Sequence, residues 1–136
     1  MRRTLTVAVV FVVVLAVVAV LVNATVLVPR RSRGQVRQGI FAIRLGLDAY
    51  SRDHGGTYPA ASLVRPRKLG ASNAHARRTV GAYVRSWPVN PFSGRPMQAG
   101  TQPGDFRYVR GPGGRSAALT GFGVGGTTVI ALPPAQ

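Results

Sequence analysis

The chain has 136 residues, of which 18 are Lys or Arg, 3 are Asp or Glu and none is Cys, for a formal net charge of +15. That arithmetic excludes a multidomain machine, a disulfide scaffold and a thiolate metal site. The acids are Asp48, Asp53 and Asp105, and with only His54 and His75 beside them a hydrolase built on paired carboxylates is not expected.

From Leu5 to Val28 the run LTVAVVFVVVLAVVAVLVNATVLV carries no charge, and only Thr6, Asn23 and Thr25 interrupt it. As a helix it would reach roughly 36 Å, enough for a hydrocarbon core of about 30 Å. Residues 1–29 are therefore expected to form a transmembrane anchor, with Arg2 and Arg3 at one end and Pro29 as its stop. The alternative is a secretory signal, cleaved after a small-residue site such as Val22-Asn23-Ala24, although the apolar run exceeds the usual signal core of about 7 to 15 residues. Counting arginines, with Arg30, Arg31, Arg33 and Arg37 against Arg2 and Arg3, places the C-terminal flank inside.

Past the anchor, Val36, Ile40, Ile43, Leu47 and Tyr50 recur at spacings of four, three, four and three, predicting an amphipathic helix from about Gly34 to Arg52. Gly55-Gly56 ends it. Ala60 to Gly81 is rich in small residues and arginine and reads as a basic loop, with a short helix around residues 71–79. From Tyr83 onward Pro and Gly punctuate short apolar runs, as an antiparallel meander requires. The predicted strands are Phe106 to Arg110, Ser116 to Phe122 and Thr127 to Leu132, with a weaker one near Met97. Phe106, Tyr108 and Arg110 alternate with Arg107 and Val109, so one sheet face can pack on the helix. The fold class is α+β: an N-terminal transmembrane helix (1–29) continuing into an amphipathic helix packed on a small antiparallel sheet, the globular domain spanning 30–136.

The helix followed by Asp53-His54-Gly55-Gly56-Thr57-Tyr58-Pro59, a loop, and Ser86-Trp87-Pro88-Val89-Asn90-Pro91-Phe92-Ser93-Gly94-Arg95-Pro96-Met97 resembles the type IV pilin superfamily, and most of all the major pseudopilin of type II secretion and actinobacterial pilin-like proteins. Gly104-Asp105-Phe106-Arg107-Tyr108 and Leu119-Thr120-Gly121-Phe122-Gly123 also look like that family's G-D-(Y/F) strand and final turn, so the resemblance covers most of residues 34 to 132. It implies a pilin-like fold, an extracytoplasmic domain on a single-pass anchor, and a non-catalytic role in a secretion- or pilus-type envelope assembly. Partners on this reading are the lipid bilayer and like subunits or other pilin-like proteins, with Val36, Ile40, Ile43 and Leu47 as the packing face. Two departures matter. No Gly precedes Gly34 and no Glu occurs, so neither a prepilin leader nor the carboxylate used in filament assembly is matched. The family's calcium is not expected either, because Gly121 to Thr128 offers no carboxylate.

Other motifs have plainer readings. Gly121-Phe122-Gly123-Val124-Gly125-Gly126 satisfies G-x-G-x-x-G, but a β-rich run follows where a dinucleotide site needs a helix, so a hairpin turn is expected. His54 with Asp53 or Asp48 and Ser51 is expected to be an exposed turn histidine rather than a triad. Trp87, Phe92, Tyr58, Tyr83, Phe106, Tyr108 and Phe122 are expected in the core rather than as a stacking platform. No cofactor, metal or small-molecule substrate is expected. Without residues 1–29 the domain keeps 16 basic and 3 acidic residues, a charge of +13. Arg65, Arg67, Lys68, Arg77 and Arg78 concentrate in the loop, and they define the alternative function: capture of DNA or an anionic polysaccharide, weakening with salt.

Overall fold

A computed structural model describes residues 13–18, 28–67 and 78–132, and it divides the chain into two compact units, Met1–Arg31 and Ser32–Gln136. In the first unit, residues 13–18 are helical and Val13, Val14, Leu15, Val17 and Val18 are exposed.

The expected membrane anchor is corrected here. Among the described residues no helix is long and apolar enough to cross a membrane, which overturns the transmembrane part of the fold class and the single-pass location with it. The remainder of the apolar run, residues 1–12 and 19–27, lies outside the described residues. The long helix α1, Val28–Asp53, is unsuited to lipid because Arg33, Arg37, Arg44 and Arg52 interrupt it. Pro29, expected as a stop, sits instead at the second residue of α1, where a missing N–H costs no helical bond.

Within the second unit, α1 carries the predicted stripe. Val36, Ile40, Ile43 and Leu47 are fully buried and Tyr50 nearly so, because their spacing keeps them on one side of a 3.6-residue helix. The helix ends as the sequence predicts. Gly55 and Gly56 take positive φ of 64° and 80°, and the Gly56 N–H donates to the Ser51 carbonyl at 2.8 Å, satisfying a carbonyl that the last turn would leave open.

Three strands follow in sequential order, β1 (Phe106–Arg110), β2 (Ala117–Phe122) and β3 (Thr128–Leu132). All pairs are antiparallel, with Phe106 opposite Gly121 and Tyr108 opposite Leu119. Between β2 and β3, Gly121 faces Ile130 while Phe122 faces Thr128, so Val129 is an extra residue on β3 and the ladder bulges there. The expected strand near Met97 shrinks to single bridges, Val89 with Pro96 and Ala99 with Phe106. Pro88, Pro91 and Pro96 lack the donors that a longer ladder needs.

The core joins the helix stripe to Phe106, Ala117, Leu119 and Ile130 of the sheet and to Tyr58, Val64, Val80, Val84 and Met97 of the connecting segments. Close approach of the 80–97 segment to α1 depends on Gly46, where an added Cβ would lie 2.4 Å from Val84 Cγ2. A helical glycine sacrifices up to about 1 kcal/mol of propensity, and here it admits the neighbouring chain.

Candidate functional site

A polar seam fixes the helix to the sheet. Arg44 Nε donates to Asp48 at 3.1 Å, its Nη1 donates to the Ala117 carbonyl at 3.0 Å, and the Tyr58 hydroxyl donates to Asp48 Oδ1 at 2.8 Å. Burial, reinforced by the hydrogen bond and charge of Asp48, raises the Tyr58 pKa. The Tyr108 hydroxyl donates to the Pro59 carbonyl at 2.8 Å, and burial pushes its pKa up to about 12. Such shifts hold both phenols neutral, as donors rather than as bases.

The second anchor point lies in the proline-rich motif. The Trp87 indole N–H donates to the Met97 carbonyl at 2.8 Å, closing the 87–97 segment on itself. Inside it, buried Asn90 works in both directions: its Oδ1 accepts from the Phe92 and Ser93 amides at 2.9 and 3.3 Å, and its Nδ2 donates to the Pro103 carbonyl at 2.9 Å. Asp105 is also buried, 3.4 Å from the same Nδ2. The motif residues quoted above thus tie two turns together, a structural task.

His54 is engaged with Tyr50. Its ring stacks on Tyr50 with centroids 3.8 Å apart, and its Nδ1 lies 2.8 Å from the Tyr50 carbonyl. Asp48, one of the two acids weighed for a triad, is engaged by Arg44 and Tyr58. The glycine run from Gly121 to Gly126 spans the end of β2 and the turn to β3, with Gly125 and Gly126 at positive φ. Of the seven aromatics, Tyr58, Phe106 and Phe122 are buried, Tyr83, Trp87 and Tyr108 are half-buried and Phe92 is exposed, so most serve the core.

In the basic loop, Arg65, Arg67 and Arg78 are exposed, while Lys68, His75 and Arg77, with most of the short helix expected at 71–79, lie outside the described residues. The backbone of residues 65–67 lies directly on Gly81, whose amide donates to the Arg65 carbonyl at 3.1 Å, which brings Arg65 and Arg67 toward the Arg78 side of the loop. On β1, Arg107 lies over the Phe122 ring at 5.5 Å.

Val36, Ile40, Ile43 and Leu47, the packing face named from sequence, are all at 0% exposure and lie in the core of their own domain. Among the described side chains of α1, the large apolar residues that are exposed are Phe41 and Leu45, at 46% and 70% exposure, one helical turn apart on the side away from the sheet. Beside them runs a groove of about 300 Å³ lined by Gln35, Gln38, Gly39, Ala42, Pro88, Val89 and Pro91. Sequence periodicity missed this surface, yet a signal existed: Phe41 and Leu45 fall outside the buried stripe at a spacing of four.

Comparison with known protein families, with characterised proteins and with solved structures finds no match to this chain.

Proposed function

We propose that the chain is a non-catalytic, pilin-like subunit or accessory protein of a type II secretion or type IV pilus-like envelope assembly. The observation that carries this reading is the apolar pair Phe41 and Leu45, exposed on a helix whose opposite face is fully used, next to a groove floored by Ala42, Pro88 and Val89. Contiguous exposed apolar surface with a polar rim is characteristic of protein contacts. The sequence resemblance supplies the kind of assembly, and the residues that carry it, Trp87, Asn90, Gly104 and Asp105, hold turns together.

Cross-linking tests this directly, since the chain has no cysteine of its own. Leu45→Cys, expressed in the native host, labelled with a maleimide–diazirine reagent and irradiated, should give a ladder of multiples for a subunit, since each chain can both carry one linker and receive another, or one discrete adduct for an accessory protein. Val109→Cys, exposed on the sheet face away from α1, is the control and should give neither. Absence of any Leu45-dependent product from folded protein overturns the reading.

A second reading rests on the exposed Arg65, Arg67 and Arg78 and the domain charge of +13. A module that binds DNA or an anionic polysaccharide through them would lose affinity steeply with salt, and Arg77→Ala with Arg78→Ala would flatten that slope by about one unit per phosphate contact.

A further inference from the structure

We propose that the depression between α1 and the β2–β3 turn is a binding site for a dianionic phosphate group, held by Arg33 and Arg37 from the helix and by Thr128 from the strand. The hollow measures about 330 Å³ and is lined by Arg33, Gly34, Arg37, Thr127, Thr128 and Val129. That volume sits at the small end of ligand sites, with room for a phosphate and a short organic group.

Four observations converge on this chemistry. Arg33 and Arg37 stand four residues apart, so their side chains share one face of α1, where two like charges repel unless an anion lies between them. Neither guanidinium makes a hydrogen bond or ion pair among the described residues, in contrast to Arg44, which is held by Asp48. Gly34, between them in sequence, has open space where a Cβ would project. The fourth observation is the bulge. Val129, the extra residue of β3, breaks the regular alternation where the strand faces the helix, and Thr128 and Val129 both line the hollow as a result. The Thr127 hydroxyl donates to the Val124 carbonyl at 3.0 Å, which braces the turn, and the Thr128 hydroxyl remains available to donate.

The charge count selects the ligand. Two guanidiniums present two positive charges and planar donor forks, which suit paired phosphate oxygens better than a single ammonium does. A phosphate monoester carries about −1.5 to −2 near neutral pH and matches both forks. A phosphodiester or a carboxylate carries one charge and leaves one fork unmatched. The site lies apart in sequence from the basic loop at Arg65 to Arg78, and it does not depend on the assembly reading.

The test is a titration of the isotopically labelled full chain, in mild detergent and at constant ionic strength, with inorganic phosphate, glycerol 3-phosphate, dimethyl phosphate and acetate as probes. The expected result is saturable shifts of the Arg33 and Arg37 Nε–H signals and the Thr128 amide with the first two probes. Dimethyl phosphate and acetate should bind at least ten-fold more weakly. Arg33→Gln with Arg37→Gln should weaken phosphate at least ten-fold, Thr128→Val three-fold or more, and Arg65→Gln by less than two-fold. All these side chains are exposed, and an unchanged Trp87 emission spectrum certifies the fold of each variant. Vesicles containing phosphatidic acid, compared with soluble glycerol 3-phosphate, separate a lipid source of the monoester from a free one, and preferential binding of either supports the site. Linear, non-saturating shifts, equal binding of dimethyl phosphate, or an equal loss in Arg65→Gln would each overturn it.

Discussion

At Gly121 the sheet comes close against the helix, and replacing it with alanine measures that contact. A Cβ built there would lie 2.6 Å from Ile40 Cγ1 and 3.1 Å from both Ile40 Cδ1 and Val36 Cγ1. Carbon atoms rest at about 3.5–4.0 Å, so the closest pair would overlap by about 1 Å. Relief requires Ile40 to leave its rotamer or α1 to lift from β2, because Val36 and Ile40 are both fully buried and β-branched. Overpacking of this kind costs about 1–3 kcal/mol. With a urea dependence of about 1–3 kcal/mol per molar, the unfolding midpoint should fall by about 1 M. Trp87 is a sensitive reporter: it is the single tryptophan, it lies 6.4 Å from the Phe106 ring and it is hydrogen-bonded to Met97. Its emission in a urea titration of the full chain gives the midpoint. The mechanism makes a sharper demand on a double-mutant cycle. Ile40→Ala alone should cost about 2–5 kcal/mol, yet combined with Gly121→Ala the total should fall short of the sum by 1 kcal/mol or more, since the deleted side chain is the one that clashed. A Gly121→Ala protein as stable as the parent, or strict additivity in the cycle, would refute this account of the helix–sheet contact.

Other perturbations probe separate parts of the same unit. Gly34→Ala, on the exposed face of α1 with open space around its Cβ, should raise stability by up to about 1 kcal/mol and the urea midpoint with it. Asn90→Ala removes a side chain that accepts from two amides and donates to Pro103, and should cost about 1–3 kcal/mol; a loss under 0.5 kcal/mol in the same assay would show that water replaces it. Tyr58 and Tyr108 have folded-state pKa values raised above the unfolded value of about 10, so their contribution to stability is complete below pH 10. It is lost as pH climbs through the folded values, about 12 for Tyr108. Ultraviolet titration of tyrosinate should show a late component near pH 12 that ionises together with loss of the Trp87 signal, and Tyr108→Phe should remove that component.

The elements of this protein were legible because each rests on local chemistry. Val36, Ile40, Ile43 and Leu47 repeat at helical spacing, so any packed form of the chain must turn them to one side, and they are fully buried. Gly55-Gly56 closes the helix because only glycine takes its positive φ without strain. The three strands begin and end within one residue of their predicted limits, since turn glycines and prolines bound each of them. Their sequential antiparallel order follows from connections too short for anything else.

What reads as a motif in sequence takes its meaning from partners far along the chain. Asn90 looks like part of a proline-rich signature, and only the fold shows it bridging to Pro103 and Asp105. An apolar run is ambiguous because hydropathy measures transfer free energy and does not report which helices form, and the described helices do not reach across a bilayer. The stripe assigned to subunit contacts lies in the domain core, and periodicity shows that a face is buried without saying against what. Exposure of Phe41 and Leu45, and the meeting of Arg33, Arg37 and Thr128, depend on residues some ninety positions apart being placed together, with a bulge at Val129 bringing Thr128 into that company. The sequence by itself therefore determined where helix and strands lie and which faces are apolar, because those follow from backbone conformation and side-chain period. Tertiary structure alone decided which apolar and charged groups stay at the surface, because that depends on how much of each face the rest of the chain can cover.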